Sequence, residues 1–160
     1  MDAVVAVFSD WGIGANGTQQ VVLKADRAHF RELTEGAAVI VGRATLADFP
    51  GGKPLKNRHN IVITRQDIDI EGAEVVHSAA EAAEAAQKYP RAVVIGGASV
   101  YRQLLPVTDR VFITRIELAP ESTAFFENLD AAEDWVCTEC GEELEENGIA
   151  YRFLTYERRR

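Results

Sequence analysis

Short apolar runs without polar alternation recur along this chain, at residues 3–8, 37–41, 60–64, 73–76, 92–95 and 110–116. A strand with one wet face alternates, so runs of this kind belong inside a sheet that is covered on both sides. Between them lie segments of helical pattern at 25–35, 43–48, 79–88 and 98–105, the third opening as Ala79-Ala80-Glu81-Ala82-Ala83-Glu84. Alternation of strand and helix predicts parallel strands joined by crossovers. After Pro120 the helical pattern stops, and 134–140 and 149–157 read as two strands around the acidic, turn-prone stretch 141–148, an antiparallel hairpin at the sheet edge. The expected fold is α/β: a single domain over 1–160 with a mainly parallel central sheet of about eight strands, an antiparallel C-terminal edge and about four flanking helices. The final Arg158-Arg159-Arg160 is expected to be a solvated tail.

Composition narrows the function classes. Seventeen Lys and Arg against 25 Asp and Glu give a net charge of −8, which argues against a general nucleic-acid surface or an anionic-membrane patch. An anionic ligand must therefore be held by a few placed cations. At 47% hydrophobic residues the chain can bury a core without disulfides or metals. No run reaches membrane-spanning length, and Ala3-Val4-Val5-Ala6-Val7-Phe8 follows the start without a basic leader, so a cytoplasmic location is expected. Cys137 and Cys140 form a Cys-x-x-Cys on a late strand, with His29, His59 and His77 far away in sequence. A structural zinc would need two further ligands nearby, so no metal is expected.

Several strand ends carry chemistry. Val93-Val94-Ile95-Gly96-Gly97-Ala98 breaks an apolar run into paired glycines and then a helix, which lets the backbone approach an anion the size of a pyrophosphate. Val41-Gly42-Arg43-Ala44-Thr45 repeats that arrangement with a cation and a hydroxyl. Ile63-Thr64-Arg65 and Val76-His77-Ser78 end two further strands in polar groups. Carboxyl ends of parallel strands are where α/β sheets bind ligands, so these endings can line one crevice. Asp26 stands apart, because at 100° per residue it shares a helical stripe with Phe30 and Leu33 while Lys24, Arg27, Arg31 and Glu35 project the other way. A carboxylate on an apolar face is a candidate for work on a ligand, its proton affinity raised by burial and lowered by the helix dipole.

In order and spacing these pieces resemble the dihydrofolate reductase family over almost the whole chain. Asp10-Trp11-Gly12-Ile13-Gly14 is similar to that family's early Ile-Gly loop, and Leu23-Lys24-Ala25-Asp26-Arg27-Ala28-His29-Phe30 to its acid-bearing helix. Gly42-Arg43-Ala44-Thr45, Pro54-Leu55-Lys56-Asn57-Arg58, Ile95-Gly96-Gly97-Ala98-Ser99-Val100-Tyr101 and Phe112-Ile113-Thr114 complete the set. The chain departs from the pattern at Gln20-Val21, where many members carry Pro-Trp, and at Lys24 and Ala98.

The resemblance implies NADPH-dependent reduction of 7,8-dihydrofolate, with hydride passing to pterin C6 and N5 protonated through water organised by Asp26. It implies a catalytic pair of Asp26 and Thr114, and a substrate site of Val4, Val5, Asp26, Phe30, Leu55, Arg58, Ile95, Tyr101 and Thr114. Arg58 would clamp the glutamate tail. NADPH would lie along Ala6, Ile13, Gly42, Arg43, Ala44, Thr45, Thr64, Arg65, His77, Ile95, the turn Gly96, Gly97, Ala98, Ser99, Val100 and Tyr101, and Gln103. Arg43 and Arg65 are the candidates for the 2′-phosphate. Antifolates are implied ligands and a monomer is expected. A pyrimidine reductase of the riboflavin type would share the fold and the glycine turn but lack the acid and the tail-binding Arg. A nucleotide-binding module without catalysis is the alternative from another class.

Overall fold

The computed structural model describes residues 1–15 and 21–159. Its central sheet runs in the order β10 (Leu144–Glu146), β11 (Ile149–Arg158), β7 (Arg110–Ile116), β1 (Asp2–Phe8), β6 (Ala92–Gly96), β3 (Ala38–Gly42), β4 (His59–Ile63) and β5 (Ala73–Val76). A further strand, β9 (Trp135–Cys140), pairs with β11 beside β10. From β7 to β5 every ladder is parallel, and β11 is antiparallel to all its neighbours. This is the expected sheet with its antiparallel C-terminal edge.

Strand alternation sorts the core onto two faces. On one, Val5, Val7 and Ile40 pack with Ala82, Ala85 and Ala86 of α3 (Ala79–Ala86) and Val100 and Leu104 of α4 (Ala98–Leu104). On the other, Val4, Val39, Val41 and Ile95 pack with Leu46 of α2 (Arg43–Ala47) and with Phe30 and Leu33 of α1 (Lys24–Thr34). The alanines of α3 let that helix lie close to the sheet. It starts firmly, since Ser78 Oγ accepts the Glu81 N–H at 3.1 Å while the Glu81 carboxylate accepts the His77 N–H at 2.8 Å.

The structure differs from the sequence reading at the C-terminal end. Residues 141–148 are not one turn: they contain β10, and only Asn147-Gly148, with φ of 53° and 78°, makes the reversal into β11. Nor is the C-terminus wholly solvated. Arg158 belongs to β11, donates to the carbonyls of Thr108 and Leu105 and lies 4.5 Å over the Trp135 ring, because that guanidinium meets backbone carbonyls, each with a second lone pair to offer, where the 3-10 turn at Leu105–Val107 ends. A small second sheet, β2 (Gly12–Gly14) with β8 (Ala124–Phe125), was not expected from the pattern. Both of its strands are too short to show a period. Among the described residues no helix is long and apolar enough to cross a membrane.

Candidate active site

The site begins where the sheet opens. β1 pairs with β6 only through Asp2↔Val93 and Ala3↔Val94, although β1 continues to Phe8 alongside β7 and β6 continues to Gly96. Beyond Ala3 the two central strands part at their carboxyl ends, the place where an open α/β sheet takes a ligand. The Val4 carbonyl, with no ladder partner on β6, accepts the buried Tyr101 hydroxyl at 2.7 Å. Burial pushes the Tyr101 phenol well above its ordinary value, so it remains a donor.

One wall of the slot is acidic. Val4 and Ala6 on β1 stand opposite Phe112 and Thr114 on β7, all on the face that α1 covers. Asp26, in the first turn of α1, accepts the Thr114 hydroxyl at 2.6 Å. Burial raises the Asp26 pKa above the ordinary carboxylate value and outweighs the Thr114 bond and the nearby His29, which both lower it. A carboxyl group that is half-buried, fixed by one hydroxyl and eager for a proton can hold an amidine-like edge of a ring and organise a proton beside it. Phe30 and Leu55 sit at the border of the apolar cluster under this wall. Val5 turns its side chain to the opposite face and can serve the slot only through its backbone.

The opposite wall is built of glycine. Gly96 has φ of 135°, and a Cβ on it would come 3.3 Å from Thr45 Cγ2. A Cβ on Gly97 would come 2.6 Å from Thr45 Oγ1, so only glycine fits there with Thr45 in place. The Tyr101 hydroxyl lies 3.8 Å from the Gly96 Cβ position, joining this wall to the Val4 carbonyl and hence to the acid side. Gly42, at the end of β3, stands beside the same turn, 3.9 Å from Gly97 N by its Cβ position.

Further along, the carboxyl ends of β3, β4 and β5 lie side by side. They present Arg43, Thr64, Arg65 and His77 in a row. Arg43 and Arg65 are exposed, and Arg43 Nη1 donates to Gln66 Oε1 at 3.1 Å. His77 Nδ1 is 3.0 Å from the Thr64 carbonyl, which makes that nitrogen the donor. Gln103 donates to the Ser99 carbonyl and hydroxyl within α4 rather than toward the row. Ile13 stands on β2, packed against the core, while residues 16–20, Gln20 among them, lie outside the described residues.

Arg58 is pre-set. Its Nε donates to Thr34 Oγ1 at 3.1 Å and its Nη1 to the Lys56 carbonyl at 2.7 Å. The segment that carries Leu55 and Arg58 hangs on Asn60, 1% exposed, whose side chain accepts from Leu55 N and donates to the carbonyls of Leu55 and Arg58. Sequence reasoning missed Asn60, although a lone amide within the apolar run of β4 was a signal. It also missed Glu146, whose carboxylate accepts the Lys24 and Ala25 N–H groups from more than a hundred residues away.

Comparison with known proteins agrees with this geometry. The family model described as dihydrofolate reductase matches residues 1–158. The chain belongs to the dihydrofolate reductase family. It is 36% identical over 154 residues to the dihydrofolate reductase of Neisseria gonorrhoeae, covering 96% of this chain and 94% of that protein. It is 36% identical over 140 residues to that of Bacillus subtilis, covering 86% and 82% respectively. Among solved structures it resembles dihydrofolate reductase from Enterococcus faecalis complexed with NADP(H) and RAB-propyl, with a TM-score of 0.88, 32% identity, and coverage of 98% and 95%.

Proposed function

We propose that this protein reduces 7,8-dihydrofolate to 5,6,7,8-tetrahydrofolate with NADPH, and that the bond between Asp26 and Thr114 at the mouth of the opened sheet marks the reacting end of the site. The residues fit a dinucleotide: the Gly96-Gly97 turn is the close-approach surface, Thr45 and the start of α4 border it, and Arg43 and Arg65 supply cations at the far end. Bound NADPH supplies the hydride, which goes from its nicotinamide C4 to pterin C6.

The chain's own residues do the rest. Asp26 takes the 2-amino and N3 edge of the pterin, and Thr114 holds the carboxyl in place for it. Its raised proton affinity lets Asp26 order water that delivers a proton to N5. One hydride and one proton add across the C6–N5 double bond, leaving NADP+ and tetrahydrofolate. Phe30, Leu55 and the Val4–Ala6 backbone exclude water around the rings, and Arg58, already oriented by Thr34 and the Lys56 carbonyl, meets the glutamate carboxylate. In this reading the chain works as a monomer in the cytoplasm, and antifolates compete for the pterin end of the slot.

The presence of both Asp26 and Arg58 favours a folate over a ribosylaminopyrimidine. Loss of NADPH absorbance on adding dihydrofolate is the test. Consumption that requires both compounds is the expected result, and a protein that leaves NADPH untouched would overturn the proposal.

A further inference from the structure

The helix that carries Asp26 has no cap of its own. Leu23, at its N-cap position, makes no side-chain bond to the first turn, whose N–H groups have no partners within the helix. The acceptor comes from the other end of the chain. Glu146 takes the Lys24 N–H at 2.7 Å on one carboxylate oxygen and the Ala25 N–H at 3.0 Å on the other. Those bonds hold the Glu146 carboxyl below its ordinary pKa, and the carboxylate in turn raises that of Asp26.

Glu146 is held where it is by local geometry. It is the last residue of β10, paired with Ile149 across the two-residue Asn147-Gly148 turn, in which both residues have positive φ. Such turns match the twist of their strands and leave the flanking residues little freedom. The next strand, β11, pairs Phe153 with Thr114. One hairpin therefore grips both the helix that bears the acid and the strand that bears its hydroxyl partner.

We infer that Glu146 is a positioning residue for Asp26: it clamps the first turn of α1 so that the acid meets Thr114, and it sets a negative charge beside that acid. The inference rests on the reading of Asp26 as the group that handles the pterin. Among the described residues, the groups facing Asp26 are His29 on α1, Glu146 on β10, the Tyr101 phenol on α4 and the Thr114 hydroxyl on β7, while β1 presents Val4 and Ala6. Of these, Glu146 disfavours the ionised acid, and His29 and Thr114 favour it, while the Tyr101 phenol stays neutral. Removing the Glu146 charge takes away a like-charge repulsion and also uncovers the positive end of the helix, and both changes lower the proton affinity of Asp26.

The experiment follows the Asp26 carboxyl by carbon-13 NMR across pH in the unliganded full chain, with Asp26→Asn identifying the signal. Wild type, Glu146→Gln and Glu146→Ala are compared, each also in a His29→Gln background so that the histidine's own titration is not mistaken for the effect. The midpoint is expected to fall in both variants, and the Lys24 and Ala25 amides to exchange faster, most in Glu146→Ala. Glu146→Gln keeps one acceptor and the side-chain shape, so it supports the comparison if the alanine variant fails to fold. An unchanged Asp26 midpoint in folded Glu146→Gln would overturn the inference. Turnover of Asp26→Asn checks the underlying reading separately, because the titration does not depend on catalysis.

Discussion

Gly97→Ala isolates the steric claim about the glycine wall. The added Cβ would lie 2.6 Å from Thr45 Oγ1 but 4.0 Å from Thr45 Cβ, so one hydroxyl accounts for the whole collision. Overpacking of this kind costs about 1–3 kcal/mol. For a chain of this size that amounts to a fall in melting temperature of roughly 2–12 °C, and, if the turn shifts to relieve the contact, to NADPH binding weaker by about 5- to 150-fold. Thr45→Ala removes the hydroxyl. The Gly97→Ala, Thr45→Ala double variant should therefore recover most of the melting temperature lost by Gly97→Ala. Gly96→Ala should not be rescued in the same way, because its φ of 135° penalises a side chain whatever stands nearby. Calorimetry and cofactor titration on the single and double variants form a complete cycle. Strictly additive losses from Gly97→Ala and Thr45→Ala would show that the two residues do not meet as described.

Arg58→Ala should weaken dihydrofolate by about 1.5–3 kcal/mol, the scale of a charge-assisted hydrogen bond. Diaminopyrimidines lacking a glutamate should bind it nearly as before, and an equal loss of both in binding titrations would mean that Arg58 acts through the 54–58 segment alone. Replacing Arg43 and Arg65 together by Ala should erase most of the preference for NADPH over NADH while leaving NADH use little changed, as measured by kcat/KM for each cofactor. Asp26 also predicts a trade of stability for function. Its folded-state pKa is raised above the unfolded value of 3.8, so the native state binds the proton more tightly and loses stability as pH rises through the folded pKa. Unliganded Asp26→Asn should thus melt higher than wild type at neutral pH, with the advantage shrinking as pH falls toward the unfolded value. A difference independent of pH in thermal melts would contradict the burial argument.

Much of this architecture was readable from local pattern. The central strands announce themselves because both faces are buried, which leaves uninterrupted runs such as Val39-Ile40-Val41 and Val93-Val94-Ile95. Asp26 was visible as a break in an amphipathic helix, and the glycines as breaks at strand ends. What stayed hidden depends on pieces distant in sequence. Nothing near Val4 says that the β1–β6 ladder stops at Ala3, since that parting is a property of the sheet's twist and neighbours. Glu146 lies in an acidic stretch whose composition signals a solvated turn, and only the hairpin brings it to Lys24 and Ala25. Arg158 looks like part of a basic tail until the turn at Leu105–Val107 supplies its acceptor. Short strands such as β2 and β8 owe their pairing to chain placement rather than to propensity.

The central claim is that Asp26 serves the protonation at N5 while the rest of the slot aligns the rings. Turnover of dihydrofolate by Asp26→Asn, followed as NADPH consumption from neutral to acidic pH beside wild type, tests it most directly. The asparagine keeps the shape and can still meet Thr114, so folding and NADPH affinity should hold. At neutral pH kcat should fall by roughly 100-fold or more, the worth of a placed acid–base group. It should recover in part under acidic conditions, where dihydrofolate arrives already protonated. Turnover close to wild type at neutral pH, or a deficit that stays constant as the solution is acidified, would contradict the role assigned to Asp26.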